Sequence, residues 1–352
     1  MVLKWPAAML LVLFLSAAPA FAGQDGAIRL RTVVIDAGHG GHDPGAINKN
    51  SKLREKDINL DLALRLGELI QKGSPDVKVI YTRKTDKFIE LAERGNIANR
   101  NHADLFISIH VNSAKSTSAS GTETFVMGTD KSSSNMEVCK RENSVILLEE
   151  DYSTTYEGFD PNNPESYIIF NLMQNAHFEQ SIAFAALVQQ NFISNGPIKK
   201  SRGVRQAPLM VLWRTTMPSV LIEVGFLSNA NDRTTLNQAA SRQKIAQDIY
   251  DAFVAFKKQY DEGGDFSIDT SVLAAEEEIE EEPHWEIQIM ASSKKLKNGS
   301  AEFKGETAYQ CRFINGMYKY SVGNFSSKEA AMEALPDVRK KFPGAFVIAV
   351  EK

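Results

Sequence analysis

The chain has 352 residues, 43% of them hydrophobic, and a formal net charge of -4. That apolar content supports one sizeable core and a second, smaller one, and it excludes a disordered chain. The slight negative charge disfavours nucleic acid as a partner. Lys4, the apolar run Ala7 to Ala18 and the A-x-A pattern Ala20-Phe21-Ala22 predict a signal peptide over residues 1–22. The run is too short for a comfortable membrane span, so no membrane anchor is expected after cleavage. The next segments alternate. Thr32 to Asp36 predicts a short strand rich in β-branched residues. Behind it, Ile58, Leu62, Leu66 and Leu69 or Ile70 recur at helical spacing, with Asp57 as the cap. Val77 to Tyr81 predicts a second strand, Ile89 to Asn101 a helix, and Leu105 to His110 and Thr124 to Met127 two more strands. A helix is expected from Asn163-Pro164 to Asn195-Gly196, with Pro at its first position and Gly past its end. Ser219 to Val224 predicts another buried strand and Ser241 to Tyr260 a long closing helix.

This order predicts an α/β domain over residues 23–260, with helices on both faces of a single mixed, mostly parallel sheet. An acidic stretch, 261–283, reads as a linker because like charges repel and solvate. Residues 284–352 predict a small α+β, ferredoxin-like domain. Its strands are Trp285 to Met290, Thr307 to Phe313, Tyr318 to Val322 and Ala345 to Val350, and its helix is Lys328 to Lys341. The two cysteines, Cys139 and Cys311, fall in different predicted domains and are expected to be free.

Three predicted strands end in polar residues: Asp36-Ala37-Gly38-His39-Gly40-Gly41, Ser108-Ile109-His110-Val111-Asn112 and Ile222-Glu223-Val224-Gly225. Ligands of open α/β sheets bind beyond the carboxyl ends of the strands, so two histidines and a glutamate are expected on one rim. Glu55 lies just before the first helix. Two imidazoles and one carboxylate form a catalytic zinc set with an open position, and a second carboxylate can then move a proton. Asn112 is placed to donate a hydrogen bond near the site, and His42 reads as a rim residue.

The string Val34-Ile35-Asp36-Ala37-Gly38-His39-Gly40-Gly41-His42-Asp43-Pro44-Gly45-Ala46 resembles the opening motif of the zinc-dependent N-acetylmuramoyl-L-alanine amidases (amidase type 3). Glu55-Lys56-Asp57-Ile58-Asn59-Leu60 is similar to the second motif of that family. Tyr81-Thr82-Arg83 with Asp86, Leu91 and Arg94 follows its next stretch. Ser108 to Ser113 and Ile222 to Asn229 resemble its last two motifs. The resemblance runs from about Arg31 to Tyr260. It implies one Zn2+ held by His39, Glu55 and His110, with Glu223 as the catalytic carboxylate. The implied reaction cuts the amide between N-acetylmuramic acid and L-alanine of peptidoglycan, in cell-wall remodelling and daughter-cell separation. Asn112 is the expected substrate-binding residue.

An insert over about 130–165 contains Met136 to Glu150, which reads as a helix. Some members of the family carry an inserted helix that covers the zinc site until an activator protein removes it. Of the glutamates here, Glu137, Glu142, Glu149 and Glu150, the candidates for the autoinhibitory role are Glu142 and Glu149. The segment reads equally as a wall of the substrate groove. In the C-terminal domain, Trp285 to Ile289, Tyr318 to Phe325 and the helix from Ser327-Lys328 resemble SPOR domains. That resemblance implies binding to glycan strands stripped of stem peptides, and a periplasmic, septal location.

Overall fold

The structure, a computed structural model, describes residues 29–128, 132–163, 165–167, 176–263, 266, 270–273, 284–314, 316–325 and 327–350. The predicted signal peptide and the glutamate-rich part of the predicted linker, 274–283, lie outside them. The chain divides into two units, Met1–Ala274 and Ala275–Lys352.

In the first unit, β1 (Thr32–Ala37), a small hairpin of β2 (Ile47–Asn48) and β3 (Leu53–Arg54), and α1 (Glu55–Gly73) come first. They lead to β4 (Lys78–Tyr81), α2 (Leu91–Arg100), β5 (Leu105–Asn112) and β6 (Thr122–Met127). The insert supplies α3 (Ser133–Asn143) and the single turn α4 (Tyr152–Thr155). Then follow α5 (Phe178–Asn195), β7 (Ser201–Ala207), α6 (Met210–Trp213), β8 (Ser219–Phe226), α7 (Ala230–Asn237) and α8 (Ala239–Asp261). Six strands make one sheet in the order β4-β1-β5-β8-β6-β7. Its neighbours run parallel except β6 against β8. This is the mixed, mostly parallel sheet expected from the sequence.

Successive side chains of a strand point to opposite faces, and here that rule sorts core from chemistry. Val33, Ile35 and Ala37 of β1, Leu105, Ile107 and Ile109 of β5, and Val220, Ile222 and Val224 of β8 share one core. They meet Leu62 and Leu66 of α1, Phe184 of α5, and Ile249 and Phe253 of α8 there. The alternate positions, Val34, Phe106 and Leu221, pack on the other face, with α2, α6 and the insert's Val138, Val145 and Ile146. Asp36, Ser108, His110 and Glu223 share the parity of this second set. They are buried on the insert face at the carboxyl ends of their strands.

Three expected elements differ. Of the helix expected from Asn163, residues 164 and 168–175 lie outside the described residues, and the α-helix that is described begins at Phe178. The helix expected to reach Glu150 stops as an α-helix at Asn143 and tightens into a 3₁₀ turn, Ser144–Leu148. Asn143 is tied there by its side chain, which donates to Pro208 O (3.0 Å) and accepts from Met210 N (2.8 Å). Phe266, Val272 and Leu273, assigned by sequence to the acidic linker, instead pack on the first core.

The second unit pairs β9 (His284–Ser292), β10 (Gln310–Ile314), β11 (Met317–Phe325) and β12 (Phe346–Val350) with α9 (Lys328–Lys341). Its sheet is antiparallel, in the order β10-β11-β9-β12. Ile287, Phe303, Tyr320 and Leu335 form its core. Cys139 is buried and Cys311 exposed, and both are free.

Glu286 of β9 is fully buried, which costs free energy unless the charge is paired. Arg312 donates to both of its oxygens at 2.6 Å, and Ser321 donates to one of them. Burial works to raise this carboxyl, but Arg312, Ser321 and His284 bring it down to about 2. A depressed carboxyl stabilises the fold above its ordinary pKa of 4.5, and that contribution is lost as pH falls towards 2. Hydrogen-exchange protection factors of β9 and β11 should therefore fall across that window, and Glu286→Gln should flatten the fall.

Candidate active site

The site begins with a buried carboxylate. Asp36 accepts hydrogen bonds from Thr82 Oγ1 (2.6 Å), Ser108 Oγ (2.7 Å) and Arg94 Nη1 (2.9 Å). Burial alone would raise its pKa; the Arg94 charge and the two hydroxyls hold it below the usual range. Arg94 also donates to Ala37 O (3.0 Å) and His39 O (3.1 Å). Arg83 donates to Ala37 O and Gly38 O, both at 2.8 Å. Three consecutive carbonyls leaving β1 are thus held by guanidinium groups. They fix His39 at φ 62, a left-handed conformation that costs free energy in a residue other than glycine.

The turn aims the His39 ring inward, with Nδ1 2.7 Å from Asp43 Oδ2. A carboxylate on one ring nitrogen sets the tautomer and frees the other nitrogen to bind a metal. Two glycines make room. A Cβ on Gly38 would lie 2.3 Å from His110 Nε2, and one on Gly45 would lie 2.7 Å from Glu55 Oε2.

Glu55, the first residue of α1, is fully buried. Val111 N donates to its Oε1 (2.9 Å) and Ala46 N to its Oε2 (2.8 Å). That same Oε1 lies 3.1 Å from His39 Nε2 and 3.2 Å from His110 Nδ1. The three ligand atoms fall within 4.8 Å of one another. Both imidazole nitrogens are buried without a hydrogen-bond partner among the described residues. Two orphaned nitrogens and one carboxylate oxygen facing a common point fit a divalent cation. Burial works to raise the Glu55 carboxyl, but the two imidazoles pull it well below the usual range.

His110 and Glu223 are paired across β5 and β8. Burial and the nearby Glu142 push the Glu223 carboxyl well above the usual range, against Arg141. The insert reaches the same place. Glu142 Oε2 lies 3.0 Å from His110 Nδ1 and 3.5 Å from His39 Nε2. Its neighbour Arg141 contacts Glu142 Oε1 (2.9 Å) and Glu223 Oε1 (3.2 Å).

The structure brings His39, Glu55, His110, Glu142 and Glu223 together and leaves two expected residues out. Glu149 turns away. It accepts from Leu91 N (2.9 Å) and from the Tyr156 hydroxyl, because the unpaired amide at the start of α2 attracts a carboxylate. Asn112 commits its amide to Glu123 and its Oδ1 to Ser113 N (2.7 Å). These two bonds shape the turn after β5. Glu137, Glu150 and His42 are exposed, and the His42 ring lies tilted against Phe88. Sequence reasoning gave no role to Asp43, although its spacing from His39 within one motif was a signal. Arg141 carried no signal at all.

Residues 33–255 match the family described as N-acetylmuramoyl-L-alanine amidase. The chain is 32% identical over 235 residues to the amidase AmiA of Escherichia coli K12, covering 66% of this chain and 78% of that protein. It is 32% identical to the amidase AmiC of Escherichia coli O6:H1 over 68% of this chain, and there it spans about half of the relative's length, 55%. The crystal structure of an N-acetylmuramoyl-L-alanine amidase from Clostridium difficile 630 aligns with a TM-score of 0.50 and 26% identity. That alignment covers 65% of this chain and 98% of that one.

Two substitutions test this geometry. Asp36→Ala leaves Arg94 buried without its counter-charge and should cost about 3–5 kcal/mol in urea unfolding. Gly38→Ala should displace the His110 ring and weaken metal affinity about ten- to a hundred-fold by titration calorimetry.

Proposed function

The chain belongs to the N-acetylmuramoyl-L-alanine amidase family, and on that premise we propose that it is a zinc enzyme hydrolysing the amide between N-acetylmuramic acid and L-alanine of peptidoglycan. The observation that carries this reading is the convergence of His39, Glu55 and His110 on one point, with the fully buried Glu223 paired to His110 across the sheet. Zinc on those three residues would supply Lewis acidity at the scissile carbonyl. Glu223, held by burial at a raised proton affinity, takes the proton of the attacking water and delivers it to the leaving amine. Asp43 keeps His39 in the tautomer that presents Nε2.

The insert restrains this site. Glu142 lies against both imidazoles and competes for the position that water and substrate need. Relief requires α3 to move, which gives an activator protein its role. The leader pattern before Ala22 supports export to the periplasm. The strand motifs around Trp285 and Tyr318 support a SPOR-like unit that binds glycan strands after an acidic linker, in wall remodelling at division. No helix of the described residues is long and apolar enough to cross a membrane.

Digestion of purified peptidoglycan, read by mass spectrometry, tests the reading. Stem peptides with free L-alanine amino ends are expected, and cuts inside the peptide would contradict it. Glu223→Gln should keep its metal and lose about a hundred- to ten-thousand-fold in rate, whereas His39→Ala should lose the metal. Glu142→Ala should raise the rate by about tenfold or more, the factor that corresponds to about 1.4 kcal/mol of lost contact.

A further inference from the structure

We propose that the Glu223 carboxylate and the backbone carbonyl of Ser113 form a two-acceptor subsite for the cationic amino end of an L-alanyl peptide, and that the guanidinium of Arg141 fills that subsite in this structure. The inference rests on the reading of Glu223 as the proton carrier of an amidase. Arg141 donates from Nη1 to Ser113 O (2.6 Å) and from Nη2 to Glu223 Oε1 (3.2 Å). One cationic group thus spans two oxygen acceptors that belong to the turn after β5 and to β8, not to the insert.

Both acceptors are built in. The Ser113 amide is held by Asn112 Oδ1 at 2.7 Å, and the Asn112 amide is held by Glu123, so the turn is braced from behind. Glu223 is fully buried, and its second oxygen, Oε2, has no hydrogen-bond partner among the described residues. One backbone carbonyl and two carboxylate oxygens, one of them idle, suit an ammonium group, which carries three donors and no acceptor. Arg141 also lines an open cavity of about 500 Å³ together with Ser113, His39 and Glu55. Arg141 thus stands between Glu223 and a space lined by His39 and Glu55.

The chemistry of the cut asks for such a place. Hydrolysis adds the hydroxyl of water to the acyl carbon and breaks the carbon–nitrogen bond. The water's other proton passes through Glu223 to the nitrogen, which leaves as an amine and takes up a further proton from solvent at neutral pH. The acyl side must face His39, Glu55 and His110, and the nitrogen must face Glu223. A guanidinium bridging Glu223 and Ser113 O stands where that nitrogen has to sit. On this view Arg141 acts as a stand-in for the product's amino end. It is a second blocking contact, distinct from Glu142 against the imidazoles.

The test is binding, measured on the full chain stripped of metal so that no amine can bind a cation there. The probe is an L-alanyl peptide with a free amino end, compared with the same peptide N-acetylated. The variant is Arg141→Ala/Glu142→Gln, which removes one charge of each sign, with Arg141→Leu measured beside it and folding checked by hydrogen exchange of β5 and β8. The folded variant should bind the free amine about tenfold more tightly than the acetylated peptide, the factor that one charge-assisted hydrogen bond supplies. Methylguanidinium should compete, and the unaltered chain, with Arg141 in place, should bind far more weakly. Equal affinity for both peptides, binding of neither by a folded variant, or equal binding by the unaltered chain would overturn the proposal. Amine preference without any cleavage of peptidoglycan would remove the amidase reading and leave the subsite standing. Cleavage without amine preference would do the reverse.

Discussion

Two buried guanidinium groups hold the backbone on which the site depends. Arg83 and Arg94 together take the carbonyls of Ala37, Gly38 and His39, and Asp36 supplies the counter-charge that lets Arg94 be buried at all. A buried arginine without a carboxylate is costly, so the pair is a structural commitment and not a surface ornament. It is made in order to hold His39 in a conformation its side chain disfavours. Everything downstream, from the Asp43 contact to the approach of Glu55 and His110, assumes that this turn does not relax.

The sheet contributes the second constraint, which is parity. Because alternate residues face opposite sides, Asp36, Ser108, His110 and Glu223 lie on the insert face while their neighbours Ile35, Ile107, Ile109 and Ile222 fill the opposite core. A slip of one residue in β5 or β8 would turn His110 or Glu223 into the wrong core. The large apolar cluster under α1, α5 and α8 therefore does more than stabilise the unit; it fixes the register that aims the chemistry.

How much of this is legible in the sequence follows from the same physics. The strands that carry Asp36, His110 and Glu223 near their carboxyl ends are short and apolar, and a polar residue late in such a run is conspicuous; their convergence follows from the topology of an open sheet. β7 is not legible, since Ser201-Arg202-Gly203-Val204-Arg205-Gln206-Ala207 is a polar edge strand with a glycine inside it. The choice among the insert's glutamates is not legible either. Glu142 and Glu149 are both buried carboxylates on one segment, and only the end of the α-helix at Asn143 sends one to the imidazoles and the other to the amide of Leu91. Arg141 escapes notice for the same reason: its meaning lies in Ser113 and Glu223, remote in sequence and joined to it only by the fold. The residues at 266, 272 and 273 look like linker because their neighbours are acidic, yet an apolar side chain beside a core packs on it whatever its neighbours carry.

The proposed chemistry requires a single metal held by His39, Glu55 and His110, with Glu142 beside it. Zinc-edge X-ray absorption of the full chain loaded with one equivalent addresses that claim directly. The expected result is a first shell of nitrogen and oxygen only, containing two imidazoles, and in Glu142→Ala the same two imidazoles with a water oxygen where the Glu142 carboxylate competed. A shell with sulfur, with fewer than two imidazoles, or unchanged by His110→Ala would contradict it.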